Sequence, residues 1–304
     1  MEAATRRVIQ EATRVLRGAG IEEPEREVYR ILSLTLAPMT TMEAFWTSPP
    51  ASLTAEQSER FQKLISRRAH GEPFAYLSQR REFFGLDLFI PPGVLIPRPE
   101  TEDLVEAVLN AHSGSESLTA RDVGCGSGAI ALALKKFRPE WQVWATDLYC
   151  WPLMVTMINS YRLQLPLHCW RSDLLGVDVD GPPRKVAPGG RYDIICANLP
   201  YVSREDVHRM SGETKFEPEH ALYAPDHGFA LLERLVREAP ACLADGGSLF
   251  LEVGAGQADR VYHQMRAQGF LQVEKLRDLS GVDRIVVGWW GGSENGRMVV
   301  GAHP

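Results

Sequence analysis

The stretch "DVGCGSGAIALAL", residues 122–134, sets the expected fold class. It begins at the end of a strand pattern, continues through Gly124, Gly126 and Gly128, and then has the small and apolar residues of a helix. Glycine permits tight turns and lets backbone N–H groups approach a ligand closely. The spacing G-x-G-x-G is neither the dinucleotide motif nor a Walker A loop. A strand, a glycine loop and a helix in this order predict an α/β sheet with a ligand site at the end of the strand.

Strand and helix patterns alternate on both sides of this stretch. Such alternation predicts a mostly parallel sheet with helices on both faces. Two adjacent strand patterns around the Ser280-Gly281 turn predict an antiparallel hairpin on its C-terminal edge. We expect strands near 122–123, 142–147, 192–198 and 247–253, and helices over 129–136, 230–241 and 257–267.

The N-terminal residues show helical patterns only. One apolar stripe comprises Val8, Ala12, Val15 and Leu16, and a second comprises Val28, Ile31, Leu32 and Leu36. Thr54 and Gln57 have the spacing of a capping box. The sequence thus predicts a helical bundle over residues 1–72, a linking β-hairpin over 73–95, a ligand-binding α/β domain over 96–290 and a disordered tail over 291–304.

Composition excludes several classes of protein. The 304 residues carry a net charge of −6, so no general electrostatic attraction to nucleic acid is expected. No apolar run reaches the ~18 residues of a membrane span. The five cysteines form no C-x-x-C pair and the eight histidines have no metal-ligand spacing, so we expect reduced thiols and no metal site.

Acidic side chains follow two of the predicted strands. Asp147 ends "QVWATD", 23 residues after Gly124, where a carboxylate can accept hydrogen bonds from ribose hydroxyls. This combination indicates an adenosine-containing cofactor and leaves NAD and S-adenosylmethionine both open. Asp173 in "RSDLL" is a candidate acceptor for an adenine amino group, with a helix cap or a solvated loop acid as the alternatives.

Several motifs together resemble a known family. "DVGCGSGAIALAL", Asp147, "RSD" and "NLPY" resemble class I S-adenosylmethionine-dependent methyltransferases that methylate nitrogen. "IPRPETE" (96–102), "FEPEHAL" (216–222) and "DHGFALLERLV" (226–236) are more selective, and they resemble the release-factor glutamine methyltransferases, the PrmC/HemK family. The resemblance extends from the N-terminal bundle to about Gly288. It implies a Rossmann-like methyltransferase sheet, with the N-terminal bundle helping to dock a peptide chain release factor.

The resemblance also implies roles for individual residues. The acceptor would be the glutamine of a Gly-Gly-Gln loop, and the cofactor would be S-adenosyl-L-methionine. The implied cofactor-binding residues are Gly124, Cys125, Gly126, Ser127 and Gly128 for the methionine part, Asp147 for the ribose, Asp173 and Leu174 for the adenine, and Asn198 beside the methyl group. The implied acceptor site comprises Asn198, Leu199, Pro200 and Tyr201.

The sequence departs from the family pattern in three places. Leu199 replaces the first proline of Asn-Pro-Pro-Tyr, Ala120-Arg121 replace two large apolar residues, and Tyr149-Cys150-Trp151 replace small and polar ones.

The acceptor site suits an amide nitrogen, which is a poor nucleophile because its lone pair is delocalised. The Asn198 side-chain oxygen and the Leu199 carbonyl can each accept one substrate N–H, while Pro200 fixes the chain. Tyr201 can stack on the flat amide. Positioning of this kind accelerates transfer without a strong base.

Two other functions stay open. Asn-Leu-Pro-Tyr also resembles the motif of ribosomal RNA adenine dimethyltransferases, so the acceptor could be the exocyclic amine of adenine. The departures around Asp122, Asp147 and Leu199 leave a non-catalytic module that binds cofactor or release factor as the second alternative. If the protein methylates a release factor, we expect a monomer that acts on neither a membrane nor a nucleic acid directly. We expect it in the cytoplasm or, in a eukaryote, in the mitochondrial matrix.

Overall fold

The structure, a computed structural model, describes residues 3–36, 52–114, 116–176, 190–209 and 212–291. The chain folds into two units. The first comprises Met1–Gln79 together with Ser211–Phe216, and the second comprises Arg80–Met210 together with Glu217–Pro304. The predicted tail lies, apart from Gly291, outside the described residues.

The first unit is helical. Its helices are α1 (Ala3–Gly18), α2 (Pro24–Leu36), α3 (Ala55–Ala69), α4 (Phe74–Ser78) and a 3-10 helix (Gly212–Phe216). The second predicted stripe is buried in full. The first stripe is partly wrong, because Val15 is 45% exposed and Ile9 instead packs in the core with Ala12 and Leu16.

Two polar arrangements stabilise this unit. The predicted capping box is confirmed, since the Thr54 side chain accepts from the Gln57 N–H and the Gln57 side chain accepts from the Thr54 N–H. Arg68, which is buried, donates to Glu27 at 2.8 Å and also pairs with Glu213 of the 3-10 helix. A buried guanidinium needs such partners because an unpaired charge is costly to bury.

The second unit alternates strands and helices after a short hairpin. The hairpin strands are β1 (Arg80–Phe83) and β2 (Leu86–Phe89). The sheet strands are β3 (Thr119–Val123), β4 (Gln142–Asp147), β5 (His168–Arg171), β6 (Tyr192–Ala197), β7 (Leu243–Glu252), β8 (Leu271–Arg277) and β9 (Asp283–Trp290). The helices are α5 (Glu100–Ala111), α6 (Ala129–Phe137), α7 (Cys150–Leu163), α8 (Ala230–Cys242) and α9 (Ala258–Gln268), with 3-10 helices at Arg204–Arg209 and Glu219–Ala221.

The sheet has the strand order β5-β4-β3-β6-β7-β9-β8. Pairs among the first five strands are parallel, whereas β9 is antiparallel to both β7 and β8. This confirms the predicted Rossmann-like, mostly parallel sheet with an antiparallel edge hairpin. The chain builds outward from β3 through β4 to β5 and then returns to β6, so the strand order reverses between β3 and β6. Open α/β sheets bind ligands at the carboxyl ends of the strands at such a point.

Burial explains why the central strands are nearly continuous in apolar residues. Ile194 to Ala197 of β6 are fully buried, since helices cover both faces of a parallel sheet. Arg121 of β3 is also fully buried, although a charged residue is rare in such a position. Within the described ranges, no helix is long and apolar enough to cross a membrane.

Candidate active site

A pocket of about 310 Å³ lies at the carboxyl ends of β3, β4 and β6. The structure brings nearly all of the implied site residues together there. The lining includes Gly124, Cys125, Gly126, Ser127, Asp147, Asp173, Leu174, Asn198, Leu199 and Pro200. Gly128 and Tyr201 do not line this pocket. Gly128 instead is the N-cap residue of α6, and Tyr201 lines an adjoining cavity described below.

The glycine loop, residues 124–128, owes its shape to backbone angles that favour glycine. Gly124, Gly126 and Gly128 have φ of 77°, 57° and 84°. An added Cβ at Gly124 would lie 2.9 Å from Leu199 Cδ2, and one at Gly128 would lie 2.9 Å from Thr156 Cγ2. At Gly126 a Cβ would meet open space. The outer glycines therefore permit tight packing, while the middle one leaves backbone open toward the pocket.

Asp147 is tied to the glycine loop. Its Oδ2 accepts the Gly126 N–H at 3.0 Å and its Oδ1 accepts the Tyr149 N–H at 2.9 Å. Burial raises the pKa of Asp147, while these backbone hydrogen bonds and the nearby His220 lower it. A carboxylate offers about four lone-pair sites, so these N–H groups leave part of its accepting capacity for further donors.

The segment after β5 carries Asp173 and Leu174, and two arginines hold it. Arg234 donates to both oxygens of Asp173, at 2.9 and 2.8 Å. Arg121 Nη2 donates to the Leu174 carbonyl at 2.7 Å and to Ser172 Oγ at 3.0 Å. Burial lowers the pKa of Arg121. The residue that departs from the family pattern in β3 thus supports the wall of the pocket from beneath.

Asn198 follows β6 directly and lies at the junction between the pocket and a smaller cavity. Its Nδ2 donates to Thr101 Oγ1 at 2.9 Å, which leaves the side-chain oxygen to accept from a ligand. Thr101 belongs to "IPRPETE" and is buried at the first turn of α5. The smaller cavity, about 100 Å³, is lined by Asn198, Leu199, Pro200, Tyr201 and neighbouring residues.

Tyr201 is held from several sides. Its carbonyl accepts from Gln257 Nε2 at 2.9 Å, and its hydroxyl lies 3.4 Å from Glu252 Oε1 at the end of β7. Gly228 of "DHGFALLERLV" approaches so closely that an added Cβ would lie 1.9 Å from the Tyr201 carbonyl oxygen. Because of this close approach, the position of Tyr201 requires glycine at 228. Burial also raises the pKa of the Tyr201 hydroxyl.

The two most selective motifs meet beside the pocket. Arg98 of "IPRPETE" forms an ion pair with Glu217 of "FEPEHAL". Glu217 is buried, and its second oxygen accepts the Ile96 N–H at 3.1 Å. The ring centroids of His220 and Tyr149 lie 3.9 Å apart, next to Asp147. These contacts give a structural reason for both motifs. From the sequence alone, "IPRPETE" could have been an ordinary entry to a helix and "FEPEHAL" an ordinary loop.

Sequence reasoning missed several residues around the site: Thr101, Arg121, Glu217, Gly228, Arg234, Glu252 and Gln257. They have no catalytic motif of their own. Thr101, Glu217, Gly228 and Arg234 lie inside quoted motifs, which is the one signal that could have found them.

Comparison with known proteins identifies the family. Residues 7–78 match the model of the PrmC N-terminal domain. The release factor glutamine methyltransferase of Burkholderia pseudomallei (strain K96243) is 40% identical over 240 residues, which cover 76% of this chain and 81% of that protein. The chain belongs to the release factor glutamine methyltransferase family. The release factor glutamine methyltransferase of Salmonella typhimurium (strain LT2) is 35% identical over 286 residues, 92% of this chain and 96% of its own length.

Membership of the release factor glutamine methyltransferase family confirms the resemblance drawn from the sequence motifs. A solved methyltransferase from Pyrococcus furiosus shares the fold, with a TM-score of 0.50 and 17% identity over 76% of this chain and 99% of that one. At this identity the likeness concerns the fold alone.

Proposed function

We propose that this protein transfers a methyl group from S-adenosyl-L-methionine to the side-chain amide nitrogen of the glutamine in the Gly-Gly-Gln loop of a peptide chain release factor. The observation that carries this proposal is the placement of Asn198. Its amide is oriented by Thr101 and adjoins both the pocket at the glycine loop and the small cavity at Tyr201.

The residues of the pocket fit the methyl donor. Its volume of about 310 Å³ falls at the lower end of small-molecule sites. The glycine loop would hold the methionine part, the free lone pairs of Asp147 would accept from the ribose hydroxyls, and Asp173 with Leu174 would lie at the adenine. Arg234 donates to both oxygens of Asp173. The remaining lone pairs of this carboxylate would accept from the exocyclic amine of adenine. When bound, the donor supplies an electrophilic methyl group on its sulfonium.

The protein's contribution is to position the acceptor nitrogen. Asn198 Oδ1 and the Leu199 carbonyl each accept one N–H of the glutamine amide, and Pro200 restricts the chain between them and Tyr201. Tyr201 stacks on the amide plane. The two oxygens stabilise positive charge as it develops on nitrogen, and holding the nitrogen in line makes the transfer effectively unimolecular. As the N–CH₃ bond forms, the S–CH₃ bond would break and the donor would leave as a neutral thioether; the nitrogen then loses its surplus proton to solvent.

The small cavity favours glutamine over the adenine alternative. About 100 Å³ suits a planar side-chain amide better than a two-ring purine base. The net charge of −6 also disfavours a nucleic-acid substrate. We assign docking of the release factor to the helical unit, by analogy with the family. The monomeric state and the cytoplasmic location stay predictions.

A label-transfer experiment tests the proposal. The full-length protein is incubated with methyl-labelled S-adenosylmethionine and either a release factor or ribosomal RNA and DNA, and the label is located by mass spectrometry. Label on the glutamine of Gly-Gly-Gln supports the proposal. Label on adenine would transfer the assignment to the nucleic-acid alternative, and bound cofactor without transfer would favour the non-catalytic one.

A further inference from the structure

One buried side chain joins three separate segments behind the acceptor site, and the transfer chemistry described above gives it no role. Gln257 is 9% exposed and lies at the N-cap of α9. Its Oε1 accepts the Gly254 N–H at 2.9 Å, while its Nε2 donates to the Tyr201 carbonyl at 2.9 Å and to the His227 carbonyl at 3.4 Å. These partners come from the segment after β7, the loop after β6 and the turn before α8, so only the fold brings them together.

The chemical nature of these partners leaves the Gln257 amide one orientation. A glutamine amide has an acceptor oxygen and a donor NH₂ group. Its three partners are backbone groups, which cannot exchange the roles of donor and acceptor. Turning the amide over would set the NH₂ group against the Gly254 N–H and the oxygen against two carbonyls. A buried polar group without a partner costs free energy, so the orientation in the structure is strongly favoured.

The backbone around Tyr201 approaches closely enough to depend on glycine. A Cβ added at Gly254 would lie 3.1 Å from Tyr201 Cδ2. One added at Gly228, in the turn at residues 226–228, would lie 2.8 Å from Gln257 Nε2. Backbone therefore packs against the Tyr201 ring on one side and against the amide that holds its carbonyl on the other.

The same turn has a backbone conformation that is costly for residues with side chains. Asp226 and His227 have φ of 53° and 52°, and Gly228 follows with 90°. Non-glycine residues keep such angles only where their surroundings determine them, and such residues concentrate at functional sites. Two side chains at the start of α9 hold the turn: Gln257 through the His227 carbonyl, and Arg260 through the Asp226 carboxylate at 2.6 Å. The turn is thus kept in the position from which Gly228 reaches the acceptor site.

We propose that Gln257 is a positioning residue for the acceptor site. Its NH₂ group fixes the carbonyl of Tyr201, and its oxygen ties that contact to the segment after β7. The inference rests on the proposed function of residues 198–201, here called the acceptor loop, as the site of the glutamine amide. Gln257 lines neither the pocket nor the small cavity, so it acts on the transfer only through Tyr201.

The acceptor loop would pass on a displacement at Tyr201. The loop continues directly from β6, and Val202 beyond its other end donates its N–H to the Leu222 carbonyl at 3.0 Å. Pro200 absorbs little rotation, because its ring fixes φ. Without its hydrogen bond, the Tyr201 peptide could turn between these fixed points. The Tyr201 ring and the Leu199 carbonyl would then lose their alignment with the acceptor amide.

An NMR measurement tests the contact without a release factor. Tyr201-Val202 is the one Tyr-Val pair in the sequence, so ¹³C-carbonyl tyrosine and ¹⁵N-valine labelling gives a single carbonyl–amide signal in the full-length protein. A hydrogen bond to a carbonyl moves its ¹³C resonance downfield. We expect this signal to move upfield, or to split, in Gln257→Met and Gln257→Asn relative to the wild type. A signal that is unchanged in both variants would overturn the proposal.

The choice of variants separates positioning from stability. Asparagine is a favoured N-cap residue, so Gln257→Asn should keep the start of α9 folded. Its amide is one methylene shorter and cannot reach Gly254 and Tyr201 together. Should Gln257→Met fail to fold, Gln257→Asn alone carries the test. Gln264→Met is the matched control, because Gln264 lies on the same helix, donates to the Glu233 carbonyl at 3.0 Å and lines neither cavity.

A kinetic arm measures the consequence for methylation of a release factor. We expect kcat at saturating S-adenosylmethionine to fall about tenfold or more in both Gln257 variants, because small misalignments of reacting groups are costly. The Kd for S-adenosylmethionine should stay near that of the wild type, since Gln257 does not line the pocket. Gln264→Met should keep both values. A folded Gln257→Asn protein with wild-type kcat would overturn the proposal, as would a loss of kcat accompanied by an equal rise in Kd.

The two arms separate the inference from the proposed function. A wild type that methylates no release factor, together with the expected carbonyl shift in the Gln257 variants, would reject the proposed substrate and retain the contact that fixes Tyr201. An active wild type whose kcat survives in folded Gln257→Asn would reject the inference and retain the proposed substrate.

Discussion

Leu199 packs its side chain against the glycine loop, where it occupies the space that a Cβ at Gly124 would need. It is also 4% exposed, so the leucine is a core residue as well as part of the proposed acceptor site. Sequence reasoning assigned importance only to its backbone carbonyl. The leucine side chain therefore has a packing role that a proline ring could not reproduce in full.

Leu199→Pro should therefore separate stability from turnover. The carbonyl at 199 is retained, so we expect kcat within a few-fold of the wild type. Loss of the buried side chain should lower the free energy of unfolding by about 1–2 kcal/mol. Urea unfolding and single-turnover kinetics measure the two effects, and Leu199→Ala is the control for side-chain loss alone. Abolished turnover in a folded Leu199→Pro protein would contradict this division.

Asn198→Ala should have the opposite profile. The side chain is partly exposed to the pocket, so we expect stability to change little, but the substrate amide would lose one of its two proposed acceptors. An unpaired donor costs about 1–3 kcal/mol, and loss of alignment adds a further decrease on the order of a hundredfold. We expect kcat to fall steeply while the affinity for S-adenosylmethionine, measured by calorimetry, stays near that of the wild type. A variant with unchanged kcat would remove Asn198 from the acceptor site.

At the scale of elements, β3 supports the loop after β5 through one side chain. Arg121 reaches from β3 to Ser172 and the Leu174 carbonyl. Its guanidinium carbon lies 5.3 Å from the ring centroid of Trp170 and 5.6 Å from that of Tyr192. Ser172 Oγ also donates to the Leu174 carbonyl at 3.0 Å, so the loop keeps one hydrogen bond without the arginine.

Arg121→Met should loosen this loop more than it destabilises the fold. Replacing a buried charge by an apolar side chain of similar size is often near neutral for stability. Loss of the hydrogen bonds to the loop should raise the Kd for S-adenosylmethionine about tenfold, which corresponds to about 1.4 kcal/mol. Arg138→Met is the matched control, since Arg138 donates to the Leu109 carbonyl and does not line the pocket. Equal affinity in the two variants would show that Arg121 does not shape the adenine side.

The sequence predicted the elements well because each leaves a local pattern. Periodicity located the central strands, the glycine loop and the helices to within a few residues, and the strand ends indicated where the pocket would form. The contacts that orient the site were beyond such reasoning, because Thr101 and Asn198, or Arg98 and Glu217, are about a hundred residues apart in the chain. Local pattern also failed for single side chains: Val15 fits a helical stripe but is exposed, and Arg68 in "ISRRAH" is buried by partners elsewhere.

At the scale of the whole molecule, three buried carboxyl groups make stability depend on pH. Burial raises the pKa values of Asp122 and Glu252 to about 7 and also raises that of Asp147. Below the ordinary pKa near 4 each group is protonated in both states. Above it the unfolded chain ionises first, so the folded state loses stability as pH rises from about 4 toward 7.

Asp122→Asn should reduce this loss. We compare the free energies of unfolding of the ligand-free variant and the ligand-free wild type. The variant's value minus the wild-type value should be larger at pH 8 than at pH 5 by on the order of 1–3 kcal/mol. Urea unfolding at both pH values measures this double difference, in which any constant effect of the substitution cancels. A difference of zero, or of the opposite sign, would show that Asp122 titrates normally in the folded protein.

Removal of residues 1–79 tests the assignment of docking to the helical unit. We expect the truncated protein to keep the increase in Tm that S-adenosylmethionine produces, because all residues of the pocket lie in the second unit. Methylation of a full-length release factor should fall by at least tenfold, mainly through KM. The cofactor-induced shift serves as the control for folding. If the truncated protein modifies its substrate at the wild-type rate, docking belongs elsewhere.

The first unit takes residues from two distant parts of the chain, and this has a consequence for synthesis on the ribosome. Glu213, the partner of buried Arg68, is translated well over a hundred residues after the last helix of the N-terminal segment. At usual elongation rates that interval is on the order of 10 s. During this interval Arg68 of the nascent helices has Glu27 as a carboxylate partner but still lacks Glu213. The first four strands of the sheet are translated in the same interval. The unit that begins the chain is thus completed only after four strands of the sheet have been translated, so vectorial folding from the N-terminus cannot finish it in order.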